Sequence, residues 1–339
     1  MNLKCILLAI TCSCAFIGSS AQVKTFRFKK SEPPFSRHAY QSSLVIDGRK
    51  NKRNIGLVQR GITNTISALM IDPTLEEALQ NHLNALLANG SGTKEIMIHI
   101  RQFSFAELTR TFSEEGFFRI RAEAYEQRGN SFLPLLKIDT LVTVSGLDVT
   151  NKILKEGQKT IYEWVEAALK EYPADVQSLT KEQIFDIDRI EKQNIPLYNS
   201  SIFPTGIYHT FQDLANLQPN DTLVNFQYDE NLGRIKAYRT DVNGKQTEVV
   251  RLTDKTGYAV SFNNRLWILV PAGYSPVDFK EGSFYFYAPY SAASINTAKI
   301  NSYIFFGLIG GLIYTMANPE DKLSLHMVDH LNGGHIPVK

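Results

Sequence analysis

Cysteine is almost missing from this sequence: of 339 residues only Cys5, Cys12 and Cys14 are cysteines, and all three lie near the N-terminus. These positions fall in a segment that is typical of a secretory signal, which is removed from the mature protein. The mature chain would then carry no thiol, which excludes disulfides, thiolate nucleophiles and cysteine-ligated zinc together. A chain of roughly 318 residues without such links is stabilised by burial, and its length suggests two domains.

The signal has the expected three parts. Lys4 supplies the positive start, and an apolar run follows over residues 6–17. Ser19 and Ala21 are the small residues that a signal peptidase requires, so we expect residues 1–21 to be removed before Gln22. Export to the periplasm or to the outer membrane follows from this hypothesis.

A membrane anchor and a lipidated N-terminus are the two alternatives for this stretch. As a membrane anchor the apolar run is shorter than the roughly 20 residues that a spanning helix needs. Lipidation at Cys12 or Cys14 would attach the chain to a membrane, but the residues before each cysteine fit a lipidation site poorly.

Strong charge and catalytic motifs are missing as well. The formal net charge is only +2, which argues against nucleic acid as a partner. The sequence contains no G-x-S-x-G elbow, no Walker loop and no H-E-x-x-H motif. A hydrophobic share of 43% argues against wholesale disorder. We therefore expect a folded protein that uses no cofactor and contains no recognisable catalytic site.

The pattern of elements predicts an α+β protein. After a basic arm or linker over residues 22–41, an α/β region extends over residues 42–172. Asp72 and Pro73 are suited to the N-cap and N1 positions of a helix that Gly90 would end. The apolar stripe of that helix consists of Leu75, Leu79, Leu83, Leu86 and Leu87.

Two segments in this region alternate with a period of two residues. The first places Met97, His99 and Arg101 on one face, and the second turns Arg119, Arg121 and Glu123 outward. Such a polar face is typical of antiparallel strands that are half exposed to water. A second amphipathic helix ends at Pro173, so we predict two layers, with helices on one face of an antiparallel sheet.

The rest of the chain reads as a linker followed by a β-rich domain. Residues 173–205 are mostly polar, and residues 206–339 contain successive strands joined by tight turns, which predicts a β-meander. One such turn is expected at Asn263 and Asn264.

An uncharged, apolar segment interrupts the strands of this domain at residues 303–317. The spacing of Gly307 and Gly311 favours a short helix packed closely on another backbone. A hairpin turn at Gly310 and Gly311, or insertion into a membrane, are the alternatives.

Two resemblances rest on short phrases. The phrase "VIDGRKNKRNIG", which contains Asp47, Arg49, Ile55 and Gly56, precedes the leucine-rich helix, and with it residues 42–172 resemble the YajG-type envelope lipoproteins and the auxiliary lipoproteins of ABC transporters. The phrases "GIYHTFQDLANLQPND", "FYFYAPY" and "HMVDHLNGG" are similar to those of uncharacterised secreted proteins of Bacteroidetes. Both resemblances imply a location in the cell envelope, and neither implies a reaction.

Candidate site residues are few. His326, His330 and His335 are weak candidates for metal ligands, and ordinary hairpin histidines are the alternative. Glu123 and Glu126 are near in sequence, but a solvated sheet face explains them without catalysis. The candidates for a contact surface are Trp267, Tyr285, Tyr287, Gly307, Gly310 and Gly311, in segments that also suit internal packing.

These observations favour a non-enzymatic envelope protein that binds a partner, as yet unidentified, or supports the assembly of an envelope complex. A membrane-attached accessory subunit of a transport or secretion system, in contact through residues 303–317, is the alternative. A hydrolase with an unrecognised site is the third hypothesis.

Overall fold

The computed structural model describes residues 23–29, 39–49, 51–60, 65–88, 92–109, 114–146, 148–173, 177–229, 234–252, 256–270, 273–288 and 323–338. Strands predominate over helices in these segments and form mixed sheets, which is compatible with the predicted α+β class. The predicted segment 303–317, with Gly307, Gly310 and Gly311, lies outside the described residues.

Seven of the described strands form the first sheet: β1 (Val23–Phe26), β2 (Tyr40–Asp47), β3 (Asn54–Arg60), β4 (Thr65–Ile71), β5 (Lys94–Thr109), β6 (Glu114–Arg128) and β7 (Ser131–Gly146). Their order is β1-β4-β3-β5-β6-β7, and β2 pairs with β5 as well. The sheet is mixed, because β2 and β3 run parallel to β5 and β1 runs parallel to β4. The prediction of an antiparallel sheet is therefore correct for β5–β6–β7 and wrong for these pairs. Parallel pairing needs a crossover between strands, which the chain makes between β2 and β5.

Helices α1 (Leu75–Leu87) and α2 (Val149–Ala168) contribute to the core of this sheet. The predicted leucine stripe of α1 is buried, as expected. The predicted cap is wrong, because Thr74 is the N-cap and shares a capping box with Glu77. Asp72 instead binds Arg27 and Arg53.

Part of the predicted basic arm belongs to the sheet. Residues 23–26 form β1, and the Phe26 side chain is buried. The Phe28 ring stacks on Tyr162 of α2 with ring centroids 5.6 Å apart. This segment is packed against the core rather than solvated along its length.

The remaining described elements are four short helices and ten strands: α3 (Lys181–Phe185), α4 (Ile187–Lys192), α5 (Pro196–Asn199), β8 (Gly206–Tyr208), α6 (Phe211–Ala215), β9 (Val224–Asp229), β10 (Arg234–Thr240), β11 (Gln246–Val250), β12 (Ala259–Phe262), β13 (Arg265–Val270), β14 (Gly273–Lys280), β15 (Ser283–Ala288), β16 (Ser324–Val328) and β17 (His335–Pro337). Strands β9 to β11 form a small sheet, and β8 and β12 to β17 form a larger one. In the larger sheet β12 to β17 follow one another in chain order. Asn263 and Asn264 both have positive φ angles between β12 and β13, which confirms the predicted tight turn.

The first and the larger β-rich sheet share a hydrophobic cluster. Leu57, Ala106 and Phe117 of the first sheet pack with residues of β8, α6 and β12 to β16. The predicted linker contains α3, α4 and α5, of which α5 contributes Leu197 to this cluster. The division into two domains stays a prediction. Within the described residues, no helix combines the length and apolar content that crossing a membrane requires.

Candidate functional site

The face of β5 and β6 that points away from α2 carries charged side chains that are buried. Arg119, Arg121 and Glu123 are only 1%, 4% and 8% exposed. The Arg101 side chain is equally inaccessible, at 6%. The prediction that this face is half exposed to water is therefore wrong. Helix α4 and the β16–β17 hairpin supply carboxylates and an imidazole that pair with these side chains, so the face is enclosed by its partners.

Arg101 is the centre of this charged cluster. Its guanidinium lies 3.1 Å from Glu123 and 2.5 Å from Glu191 of α4, and it also binds Asp188. Lys137 of β7 reaches the same two glutamates at 3.3 and 3.2 Å. Two cations thus face three carboxylates, and the cluster joins α4 to the sheet.

The β16–β17 hairpin is attached to the same face. Arg121 makes a two-pronged contact with Asp329, at 3.2 and 3.0 Å. The adjacent His330 lies 2.8 Å from Glu191 through its Nε2 atom. Such two-pronged contacts with buried guanidinium groups fix geometry as well as charge. Residues separated by about 200 positions in the chain are held together here.

Electrostatics keep the cluster ionised. Burial alone would raise the pKa of Glu191, but hydrogen bonds from His330 and Arg101 lower it below its ordinary range. Burial would lower the pKa of Arg101, but Glu191, Asp188 and Glu123 raise it. Burial, followed by the charge of Glu123, raises the pKa of Tyr125, whose hydroxyl donates to Glu123. Such shifts are those of a structural ion-pair network.

The structure does not bring Glu123 and Glu126 together as a catalytic pair. Successive side chains of a strand point to opposite faces, so these two residues lie on different sides of β6. Glu126 is buried on the other side, where Lys94 and Arg128 contact it at 2.8 and 2.6 Å. Neither residue lies on a solvated sheet face as predicted, because both are buried and paired with cations.

Asp188, Glu191 and His330 form the group that comes nearest to a metal site within the described residues. Their ligand atoms lie within 4.8 Å of one another. The Arg101 guanidinium contacts both carboxylates, however, and therefore occupies the position that a cation would need. A metal ion would have to displace Arg101 from a buried position, so the donor set fits an arginine better than a metal.

The three candidate histidines are not assembled into one site. His326 and His335 pack on the Phe286 ring, with centroids at 5.6 and 4.6 Å, whereas His330 faces Glu191. Burial lowers the pKa of His326 and of His335 to about 3. Both are therefore neutral at physiological pH and belong to the packing of the hairpin.

The aromatic candidates separate into two environments. Trp267 is buried beneath the β9–β11 sheet, where it stacks on Phe262 at 5.9 Å and contacts Tyr228 at 4.7 Å. Tyr285 and Tyr287 point away from the buried residues of β15, and Tyr287 is 54% exposed. Trp267 is therefore a core residue, and the two tyrosines remain accessible.

A polar cavity of about 450 Å³ lies beside the charged cluster, lined by Asp186, Asp188, Arg189, Lys192, Gln193, Tyr198, Asn199, Glu281 and Gly282. Lys192 donates to Ser283 at 2.6 Å and lies 5.4 Å from the centre of the Tyr198 ring. Burial lowers the pKa of Lys192. The cavity has room for a small polar molecule, but its lining carries both signs of charge and defines no ligand.

Comparisons with known proteins leave the chain without a family. No protein-family model matches the sequence, and no curated protein matches it significantly. A crystal structure of a Xanthomonas campestris protein of the DUF330 family aligns with 51% of this chain and 100% of its own, at 6% identity and a TM-score of 0.28. A similarity at that level supports no conclusion about fold or function.

Sequence reasoning found some members of the charged cluster and missed others. Alternation places Arg101, Arg121 and Glu123 on polar strand faces, but nothing in the sequence links Glu191 or Asp329 to them. The available sign was the pair Arg119 and Arg121 on one face of a strand whose other face is apolar at Phe118, Ile120 and Ala122. Arginines that lie on a face destined for burial require carboxylate partners from elsewhere in the chain.

Proposed function

We propose that this protein is a non-enzymatic component of the bacterial cell envelope that binds a protein partner through the outer face of β15 and β16. The observation that carries the proposal is the set of side chains on this face. Tyr285 lies opposite Met327 and Tyr287 lies opposite Leu325 in the paired strands. Side chains paired in this way share one face of the sheet.

The composition of this face is suited to protein recognition. Tyrosine and methionine are enriched in the centres of protein interfaces, where an apolar body and a polar tip are both useful. Tyr285, Leu325 and Met327 are half-buried, and Tyr287 is exposed. A contiguous apolar patch of this kind on a folded protein commonly marks a contact site.

The charged cluster supports a structural rather than a catalytic role. Arg101 pairs with Glu123 and Glu191, and Arg121 pairs with Asp329. A general acid or base needs a pKa near the working pH, whereas the pKa of Glu191 is lowered. The cluster holds the hairpin that carries Met327 and Leu325 against the first sheet.

A capture experiment tests the proposal. The mature chain with a C-terminal affinity tag is used to recover proteins from solubilised envelopes of the native organism, in parallel with a Tyr285→Ser/Tyr287→Ser variant. The matched control is Tyr172→Ser/Tyr228→Ser, which removes two tyrosines that are 82% and 40% exposed elsewhere on the surface. We expect a specific partner that the first variant loses and the control retains. An identical set of captured proteins for all three chains would refute the proposed face.

A further inference from the structure

Strand β7 lies at an edge of the first sheet and is mostly aliphatic in its middle part. Residues 135–144 read "LLKIDTLVTV", with only two charged residues among aliphatic and threonine side chains. Prolines, bulges and charges at a sheet edge hinder further pairing; in β7 the proline and the bulge are confined to the first part of the strand, and the charges are Lys137 and Asp139. Beyond Phe132 no residue of β7 is fully buried, although most of β6 is.

The hydrogen bonds at Phe132 show which backbone groups of β7 point away from β6. Its N–H donates to the Leu179 carbonyl, and its own carbonyl accepts from the Leu179 N–H, both at 2.8 Å. The backbone N–H and C=O groups of Phe132 therefore point away from β6. Leu135 is an extra residue in the pairing with β6. Pro134 lies opposite Tyr125 and Leu136 lies opposite Ala124, so Leu135 has no opposite residue on β6.

The alternation shifts by one position at this bulge. Beyond it the backbone groups of Lys137, Asp139, Leu141 and Thr143 point outward, and those of the even-numbered residues point to β6.

Both ends of the outer edge are blocked. Pro134, the bulge and Leu179 occupy the first part. At the other end the Lys152 ammonium donates to the Ser145 carbonyl at 3.1 Å. Among the described residues, no backbone or side-chain hydrogen bond occupies the outward groups of residues 137–143. In the part of the chain that the structure describes, the open edge is thus seven residues long and is centred on Thr140.

We infer that this edge pairs with the same edge of a second copy of the chain, antiparallel and about a two-fold axis at Thr140. In this register Lys137 lies opposite Thr143 of the second copy, and Asp139 lies opposite Leu141 of the second copy. The outward groups of both strands are then all paired, and the two seven-residue edges match from end to end. The first sheet becomes one continuous sheet across the dimer.

The side chains favour a second copy as the occupant. No like charges face each other in this register, and Ile138 lies opposite Val142 of the second copy on the face that carries α2. Threonine pairs such as the central one stabilise antiparallel strands. Helix α2 packs on both β6 and β7. With strands about 4.8 Å apart, two helices so placed lie about 10 Å apart across the axis, which is an ordinary helix-packing distance.

Single cysteines test the register directly. In a chain whose three N-terminal cysteines are replaced by serine, Thr140→Cys places two thiols opposite each other in a pair whose Cα atoms are about 4.5 Å apart, within disulfide range. Thr143→Cys is the matched control, because its two thiols would be about 20 Å apart. We expect a disulfide-linked dimer from Thr140→Cys under mild oxidation and none from Thr143→Cys. Equal cross-linking of the two variants, or none, would overturn the register.

Hydrogen exchange and mass measurement test the dimer without cysteines. In the dimer the amides of Lys137, Asp139, Leu141 and Thr143 are protected as strongly as their even-numbered neighbours. A Thr143→Pro variant removes an outward N–H and should remain folded by circular dichroism but become monomeric in light scattering. A wild-type chain that is monomeric at high micromolar concentration, with alternating protection along β7, would overturn the inference. The outcome is independent of the capture experiment, which concerns a different face.

Discussion

Replacing Arg101 with methionine tests whether the charged cluster stabilises the fold. The substitution keeps most of the volume and removes the cation that contacts Glu123, Asp188 and Glu191. Removing one partner of a buried ion pair typically costs about 3–5 kcal/mol, because the other charge is left uncompensated. Lys137 still reaches both glutamates, so we expect a loss near the lower end, about 3 kcal/mol.

The loss should depend on pH. The pKa of Glu191 in the folded state lies below its ordinary value of 4.5. The charge of Glu191 therefore stabilises the folded state fully above pH 4.5, and this stabilisation is lost as the pH falls through the folded-state pKa. Arg101 is one cause of this lowering. The difference in stability between wild type and Arg101→Met should therefore be largest at neutral pH and should shrink on acidification.

Urea denaturation followed by circular dichroism between pH 2.5 and pH 7 measures both effects. Arg27→Met is the matched control, because Arg27 pairs with Asp72 at the surface and is 72% exposed. Exposed pairs contribute about 0–1 kcal/mol. A cost for Arg101→Met no greater than that of the control, or one independent of pH, would refute the reasoning.

Three further predictions concern stability. Gly157→Ala should destabilise the fold by about 1–2 kcal/mol in urea denaturation, because the added Cβ would lie 2.5 Å from the Phe105 ring and overpacking outweighs the better helix propensity. Thr74→Ala should cost about 1 kcal/mol by the same measurement, because it removes the N-cap of α1. Burial lowers the pKa of His82 to about 4 from an ordinary 6.5, so the unfolded chain binds a proton first and stability falls as the pH drops through this window. His82→Phe, which keeps a ring against Tyr162, should reduce that fall in thermal midpoints measured against pH.

Each of these three predictions would be contradicted by one specific result. A Gly157→Ala chain as stable as wild type would mean that α2 can move away from the sheet without cost. A neutral Thr74→Ala would assign the start of α1 to packing alone. For His82→Phe, an unchanged pH dependence of stability would mean that groups other than His82 cause the fall at low pH. His209→Phe is the control, because His209 is a histidine that is not buried.

Local sequence patterns predicted the helices and strands in which apolar residues recur at regular intervals. The leucine stripe of α1 repeats at helical intervals, and β5 and β6 alternate with a period of two. The turn at Asn263 and Asn264 follows from the tolerance of asparagine for positive φ. The start of α1 was misplaced because Asp72 and Thr74 are both good caps, and contacts of Asp72 with distant arginines decided between them.

The buried face of β5 and β6 could not be predicted from those strands. Alternation shows that two faces differ, but it does not show what covers the polar one. Arg101 and Arg121 on a strand face are compatible with solvent, and they are also compatible with burial if carboxylates arrive from elsewhere. The carboxylates are Glu191 and Asp329, roughly 90 and 208 positions further along the chain.

The sequence by itself determined the α+β class, the leucine-rich helix, the alternating strands and the turns, because each depends on the chemistry of neighbouring residues. Only the tertiary structure decided which strands run parallel, that the arginine-bearing face is enclosed, and that β7 lies at an edge. Strand partners and coverage depend on contacts between residues far apart in the chain. Several arrangements satisfy the same local pattern, and the pairing of buried charges and the burial of both sheet faces select one of them.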